Sequence, residues 1–191
     1  MNFKNSQMIR LYDLLISSLI LFILSPLIFL IFVFCFLESK NPIFVQIRIG
    51  QYKKPFKLFK FRTMKINTPS LASHLVNEKS VTRFGRFIRL LKLDELPQLI
   101  NVINGDMSLV GPRPCLFNQD ELIKLREEYK IFEVKPGITG LSQVKGIDMS
   151  NPIKLCETDL YMNSIINQKY YFKYLFLTLF GKGIGDKVKK N

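Results

Sequence analysis

Apolar residues run without a charge from Leu14 to Leu37, 24 positions made almost entirely of Leu, Ile, Phe and Val. A straight helix of that length would be roughly 36 Å, enough to cross a hydrocarbon core of about 30 Å. The run is too long for a cleaved signal peptide, and no small-residue cleavage site follows it. It predicts a membrane segment. Ser25-Pro26 interrupts it midway, where proline removes a backbone donor and clashes with the preceding turn. Basic residues flank it on both sides: Lys4 and Arg10 before, then Lys40, Arg48, Lys53, Lys54, Lys57 and Lys60 after. The positive-inside rule draws both flanks toward the cytoplasm. A helix broken at Ser25-Pro26, dipping in and returning on one face, meets both demands, with the serine hydroxyl on a carbonyl left open at the break. An ordinary kinked spanning helix is the alternative.

Beyond residue 39 the pattern is that of one compact domain, with no internal repeat or linker. Ile43, Val45, Ile47 and Ile49 alternate with more polar residues and predict a half-buried strand. Gly50-Gln51 can turn the chain, and Lys57 to Thr63 pairs back to close a hairpin. Residues 65 to 81, polar with Pro69 and three serines, predict a mobile loop, where His74 has no metal-ligating neighbour and reads as a surface residue. Thr82 predicts the N-cap of a helix with Phe84, Phe87, Ile88 and Leu91 on one face. Pro97 argues against that helix running on, and a second is expected from about Glu95 to Ile103, ended by Asn104-Gly105. Asn118 and Glu121 form a capping-box pattern for a third, through about Tyr129. Pro136-Gly137 predicts a turn, Leu141 to Val144 a short strand, and Asn151 the start of a further helix. Aromatic residues from Tyr170 to Phe180 interleave with Leu and lysine. They fit an interfacial helix, with Lys182, Lys187, Lys189 and Lys190 facing anionic lipid, or equally a core-packing helix with a solvated tail.

Charge narrows the partners. The 28 Lys and Arg face 15 acidic residues, a net +13, so a polyanion is expected: nucleic acid, lipid headgroups or a phosphorylated substrate. A hydrophobic share of 48% against 23% charged excludes a disordered chain. Cys35, Cys115 and Cys156 are too few and scattered for a disulfide framework or structural zinc, and read as apolar fillers in a reducing compartment.

Candidate chemistry gathers at Asp94-Glu95, between two apolar helices at a proline-marked break. Asp94 is placed to cap the second helix, where free amides favour negative charge. Neighbouring carboxylates can divide labour, one attacking and one binding a divalent cation. Arg86, Arg89 and Lys92 lie just upstream, the last two close enough to face a phosphate beside Asp94. Alone, this cluster also fits an acidic cap beside a basic helix face. Gly111-Pro112-Arg113-Pro114 adds an arginine held by two prolines, suited to planar, bidentate phosphate recognition. Pro136-Gly137-Ile138-Thr139-Gly140 adds a second rigid turn. No Walker A loop, GxGxxG or zinc motif is present, which disfavours a P-loop nucleotidase and a Rossmann dehydrogenase.

Five motifs then stand in order: Lys60-Phe61-Arg62-Thr63-Met64, Leu93-Asp94-Glu95-Leu96-Pro97-Gln98-Leu99, Asn101-Val102, Gly105 through Pro114, and Pro136 through Val144. Behind an N-terminal Ser-Pro membrane helix, they resemble the bacterial sugar transferase family of small monotopic polyprenyl-phosphate phosphoglycosyl transferases, from roughly residue 8 to 180. The resemblance implies transfer of a sugar-1-phosphate from a UDP-sugar to undecaprenyl phosphate with release of UMP. It implies Asp94 as the nucleophile forming an aspartyl phosphosugar, Glu95 as a catalytic residue helping to hold Mg²⁺, and Lys60, Arg89 and Arg113 as substrate-binding residues. The family's re-entrant Ser-Pro helix agrees with the charge argument. Where many members have Arg before the Pro-Gly turn this chain has Lys135, and Ile147 replaces a further Arg.

The fold expected is α+β: a re-entrant membrane helix hairpin over 1–38, then a compact, mainly helical cytoplasmic catalytic domain over 39–191 with a small β-hairpin and interfacial helices. The expected place is the cytoplasmic face of the bacterial inner membrane, both termini cytoplasmic, against anionic lipids. The rival reading is a membrane-tethered nucleic-acid binder, which the basic and aromatic 170–180 segment would serve; under the family reading no nucleic acid partner is expected.

Overall fold

The computed structural model describes residues 3–66, 68 and 78–181. Pro69, His74 and the four lysines from Lys182 to Lys190 lie outside the described residues. The chain is α+β, with eight α-helices and two two-stranded sheets among the described residues.

The apolar run forms two helices, α1 (Phe3–Ile23) and α2 (Ser25–Ser39), meeting at Leu24. Pro26 sits in the first turn of α2, where its missing N–H costs least. The carbonyl that N–H would have served, four residues back, belongs to Phe22 and instead accepts the Ser25 hydroxyl at 2.8 Å. α1 is long and apolar enough to cross a membrane by length and composition. Its helix begins well before the apolar run, and its charged early turns are built into the globular body. Arg10 donates to the Val102 and Ile103 carbonyls at 2.5 and 2.8 Å, while buried Asp13 accepts from Ser108 Oγ, Leu109 N and Tyr171 Oη at 2.8–3.0 Å.

Strands β1 (Ile43–Ile49) and β2 (Pro55–Phe61) form the expected antiparallel hairpin, with β2 starting and ending two residues early. In the middle of β1 the buried face is not the apolar one. Val45 and Ile47 are exposed, whereas Gln46 and Arg48 turn inward with Phe56 and Leu58. Burying a guanidinium is tolerable only with its donors satisfied; Arg48 donates to Gln46 Oε1 at 2.6 and 3.0 Å and to the Pro114 carbonyl at 3.1 Å.

Thr82 caps α3 (Arg83–Leu90) as expected, accepting from Gly85 N at 2.9 Å. A Cβ at Gly85 would land on the Thr63 carbonyl, so glycine lets α3 lie directly on the chain leaving β2. Ile88 is buried and Phe84 partly so, but Phe87 and Leu91 are exposed. The second helix departs from expectation. A single 3₁₀ turn spans Leu93–Glu95, and α4 (Gln98–Asn104) begins only after Pro97, which occupies the N-cap position. Asp94 is therefore not the cap of α4. Gly105 ends α4 at φ 88°, the left-handed conformation glycine permits.

The capping box at Asn118 and Glu121 does not form. α5 (Asp120–Glu128) starts after Gln119, whose Oε1 accepts from Leu116 N at 2.8 Å and shapes the preceding turn instead. Strand β3 (Ser108–Val110) pairs in parallel with β4 (Gly137–Thr139). The segment expected to be a short strand is one helical turn, α6 (Leu141–Val144), whose Ser142 hydroxyl donates to Asp159 at 2.6 Å. Helices α7 (Pro152–Ile165) and α8 (Gln168–Leu179) follow, capped by Asn151 and Asn167. α8 has two faces: Tyr171 and Tyr174 are buried, as in a core-packing helix, while Phe172, Phe176 and Phe180 beyond its end are exposed.

Three apolar clusters hold these elements. One joins Ile9 of α1 to Leu99, Val102, Met107, Met162 and Tyr171. A second gathers Cys115, Leu122, Phe132, Leu155 and Cys156. The third packs Ile31 and Cys35 of α2 on Phe61 and Ile88, with Leu93 and Leu96 against it. The cysteines are free and buried, as fillers should be.

Candidate active site

The Asp94-Glu95 turn is fixed from both sides by its neighbours in sequence. Leu93 and Leu96 pack against the cluster formed by Ile31 and Cys35 of α2, Phe61 of β2 and Ile88 of α3, so the turn lies where these three elements meet. Lys92 takes a left-handed backbone at φ 58°, which separates the turn from α3. Behind it, Asn101 of α4 acts as a substitute strand along the open edge of β2: Phe59 N donates to its Oδ1 at 3.1 Å and its Nδ2 donates to the Lys57 carbonyl at 2.6 Å. This ties α4, and with it the turn, to the strand that carries Lys60.

Three of the expected residues meet at one atom. Glu95 Oε1 accepts from Lys60 Nζ at 3.0 Å and from Arg113 Nη2 at 2.6 Å. Asp94 beside it is only 6% exposed. Arg89 reaches Thr63 Oγ1 at 3.4 Å, two residues past the end of the same strand. Lys92 feels both Glu95 and Arg113. Burial lowers its pKa and Arg113 lowers it further, with Glu95 opposing. Lys60, Arg113 and Lys92 thus lie around Glu95, with Arg89 near the end of the strand that carries Lys60, so the neighbourhood keeps positive charge in excess.

The loop bearing Arg113 owes its position to two glycines. A Cβ on Gly137 would collide with the backbone of Gly111, so the two chains cross in contact, held by Gly111 N to Thr139 O and Gly137 N to Pro112 O at 2.8 Å each. Arg48 braces the loop from beneath through the Pro114 carbonyl. Gln46 and Arg48 escaped sequence reading because they occupy the polar positions of β1, which alternation assigns to solvent. In the sequence Asn101 stands only within a motif, and Thr63 within a motif at the end of the expected second strand. Ile147 packs beside the second apolar cluster. Lys135 lies near Arg10, Asp13 and Asp106, its pKa lowered by burial and by Arg10.

No group of three or more His, Cys, Asp and Glu side chains gathers among the described residues to hold a metal alone. Two adjacent carboxylates remain, which suits Mg²⁺, a cation that keeps several waters and takes one or two carboxylates plus substrate phosphates.

Two carboxylates with basic side chains in excess around them define a protein equipped to hold an anion. The comparisons give the family: the family model described as bacterial sugar transferase matches residues 4–182, and the chain belongs to that family. A UDP-glucose:undecaprenyl-phosphate glucose-1-phosphate transferase of Klebsiella pneumoniae is 44% identical over 142 residues, covering 72% of this chain and 30% of that protein. The uncharacterized sugar transferase EpsL of Bacillus subtilis is 41% identical over 153 residues, 80% of this chain and 75% of its own length. A protein of Escherichia coli with the same name as the Klebsiella one is 38% identical over 189 residues, 94% of this chain and 40% of its own. The chain therefore spans less than half of the two named glucose-1-phosphate transferases.

Proposed function

We propose that this chain transfers a sugar-1-phosphate from a UDP-sugar to undecaprenyl phosphate, giving undecaprenyl-diphosphate-sugar and UMP. The observation that carries the reading is the grip of Lys60 and Arg113 on Glu95 beside nearly buried Asp94. In the first step an Asp94 carboxylate oxygen attacks the phosphorus bearing the sugar. The new P–O bond forms as the bond to the bridging oxygen breaks, and UMP leaves with that oxygen. In the second step an oxygen of undecaprenyl phosphate attacks the same phosphorus, and Asp94 departs as a carboxylate. One site serves both substrates in turn, which suits a domain of this size. Arg113, Arg89 and Lys60 offset charge on the phosphate oxygens as it redistributes. Mg²⁺, held through Glu95, would supply further positive charge to the diphosphate.

The same reading gives the apolar surface a role. Phe29, Leu30 and Phe32 of α2, Phe87, Leu90 and Leu91 around α3, and Phe172 and Phe176 of α8 are exposed, large apolar side chains of the kind that line membrane or partner surfaces. With α1 and α2 re-entrant, both termini are on the cytoplasmic face, and α3 and α8 lie at headgroup depth against anionic lipids. A lipid phosphate can then meet a water-soluble UDP-sugar at Asp94. Incubating membranes that carry the chain with undecaprenyl phosphate, Mg²⁺ and a panel of UDP-sugars tests the reading. UMP release with at least one sugar is expected, and none with any would refute it.

A further inference from the structure

Asp94 does not stand alone on its stretch of chain. From Leu93 to Asn104 the path is almost continuously helical: Leu96 and Pro97 both have right-handed helical angles, and Glu95, Leu96, Leu99 and Ile100 each donate three residues back at 3.1–3.3 Å. Residues three and four apart on such a path are neighbours, with about 5–6 Å between their Cβ atoms. Asp94, Gln98 and Asn101 follow that spacing, at 6%, 3% and 0% exposure. Together they form a buried polar stripe.

Its two outer members have evident work: Asn101 straps β2, and Asp94 is the proposed nucleophile. The middle member does not. Gln98 Nε2 is buried and has no hydrogen-bond partner among the described residues. Burying an unpaired amide donor is costly. The other such atoms, Ser17 Oγ, Arg126 Nε and Gln143 Oε1, lie on other elements. Gln98 alone sits one helical turn from Asp94.

Resting on the proposed function, we infer that Gln98 is a further substrate-contacting residue, whose side-chain amide donates to a phosphoryl oxygen of the group seated at Asp94. A donor kept unpaired in the resting protein is already desolvated and oriented, so no reorganisation is needed when charge moves onto the phosphoryl oxygens. It contributes in the reaction what it costs the fold.

That trade-off is the test. Gln98→Met, similar in shape and without the donor, should lower kcat about 10²-fold with little change in KM, while the full-length chain melts at the wild-type temperature or above. Gln98→Glu should also be slow at neutral pH and recover as pH falls, because the protonated carboxyl regains a donor. A Gln98→Met chain that melts lower, or fails to fold, while Gln98→Glu keeps wild-type turnover at neutral pH would make Gln98 structural and overturn the inference. Wild-type kcat in Gln98→Met would do the same. A wild type releasing no UMP from any UDP-sugar removes the underlying reading as well, and is distinguishable from an active wild type matched by its Gln98 variants.

Discussion

Two acid–arginine clusters in this chain use the same chemical groups to different ends. In the first, Arg126 of α5 meets Asp159 of α7 at 3.4 Å, with side chains 2% and 0% exposed. Ser142 supplies a hydroxyl to the same carboxylate. One cation, one anion and one hydroxyl make up the set, with Arg126 Nε left without a hydrogen-bond partner among the described residues. Burial raises the Asp159 pKa, while Arg126 and Ser142 pull it back, and the thiol of neighbouring Cys156 is pushed up to about 11, mainly by burial. In the second cluster, Glu95 is shared by Lys60 and Arg113, with Lys92 and Arg89 close by and Asp94 adjacent. Charges balance in the first and do not in the second. A balanced buried pair holds helices together, whereas an excess of cations around two carboxylates leaves positive charge for an anion. Arginine beside a carboxylate is therefore uninformative until the charges around both are counted.

Substitutions should separate the clusters. The largest effect is expected from Asp94→Asn, nearly isosteric and lacking the attacking charge: turnover should fall about 10⁴-fold with an unchanged melting temperature. Comparable activity in that variant would reduce Asp94 to a structural group. Next comes Asp159→Ala, which leaves Arg126 buried without its counter-ion. It should cost about 3–5 kcal/mol, read as a fall in melting temperature of about 10 °C, with residual activity tracking the folded fraction. Were Asp159→Ala stable but inactive, the first cluster would be the functional one.

Smaller effects probe the shape of the second cluster. Arg113→Lys keeps the charge but loses the planar fork, so turnover should fall about 10-fold; an unaltered rate would mean that charge alone suffices. The least is expected from Lys92→Arg. Because burial and Arg113 lower the Lys92 pKa, its charge is lost at a lower pH than that of an exposed lysine, and kcat/KM should decline on the alkaline side. Arginine stays charged there, so the variant should hold its kcat/KM to higher pH. An identical alkaline limb in both proteins would take Lys92 out of the site.

The motif residues and the break at Ser25-Pro26 were legible in the sequence because each rests on local chemistry: a proline without a donor, prolines flanking an arginine, a threonine at a helix start. What escaped depended on partners far along the chain. Alternation in β1 identified the strand yet pointed to the wrong face, since Arg48 is drawn inward by the Pro114 carbonyl 66 residues away. Asp94 looked like a helix cap because only the tertiary fold inserts a 3₁₀ turn before Pro97. Leu141 to Val144 became a helix turn because Ser142 is recruited by Asp159, a contact without a local signal. The hold of Arg10 and Asp13 on the globular body was equally invisible, as their partners lie at residues 102–109 and 171.

The central claim is that Asp94 carries the sugar phosphate between the two substrates, and intact-protein mass spectrometry reads it most directly. After rapid quenching with the accepted UDP-sugar and no lipid acceptor, wild-type chain should gain the mass of one sugar phosphate, mapped to the Asp94 peptide, with up to one UMP released per site. Asp94→Asn should gain nothing. An adduct that still forms in Asp94→Asn, or an active wild type that turns over only when both substrates are bound and never acquires the added mass, would contradict the account.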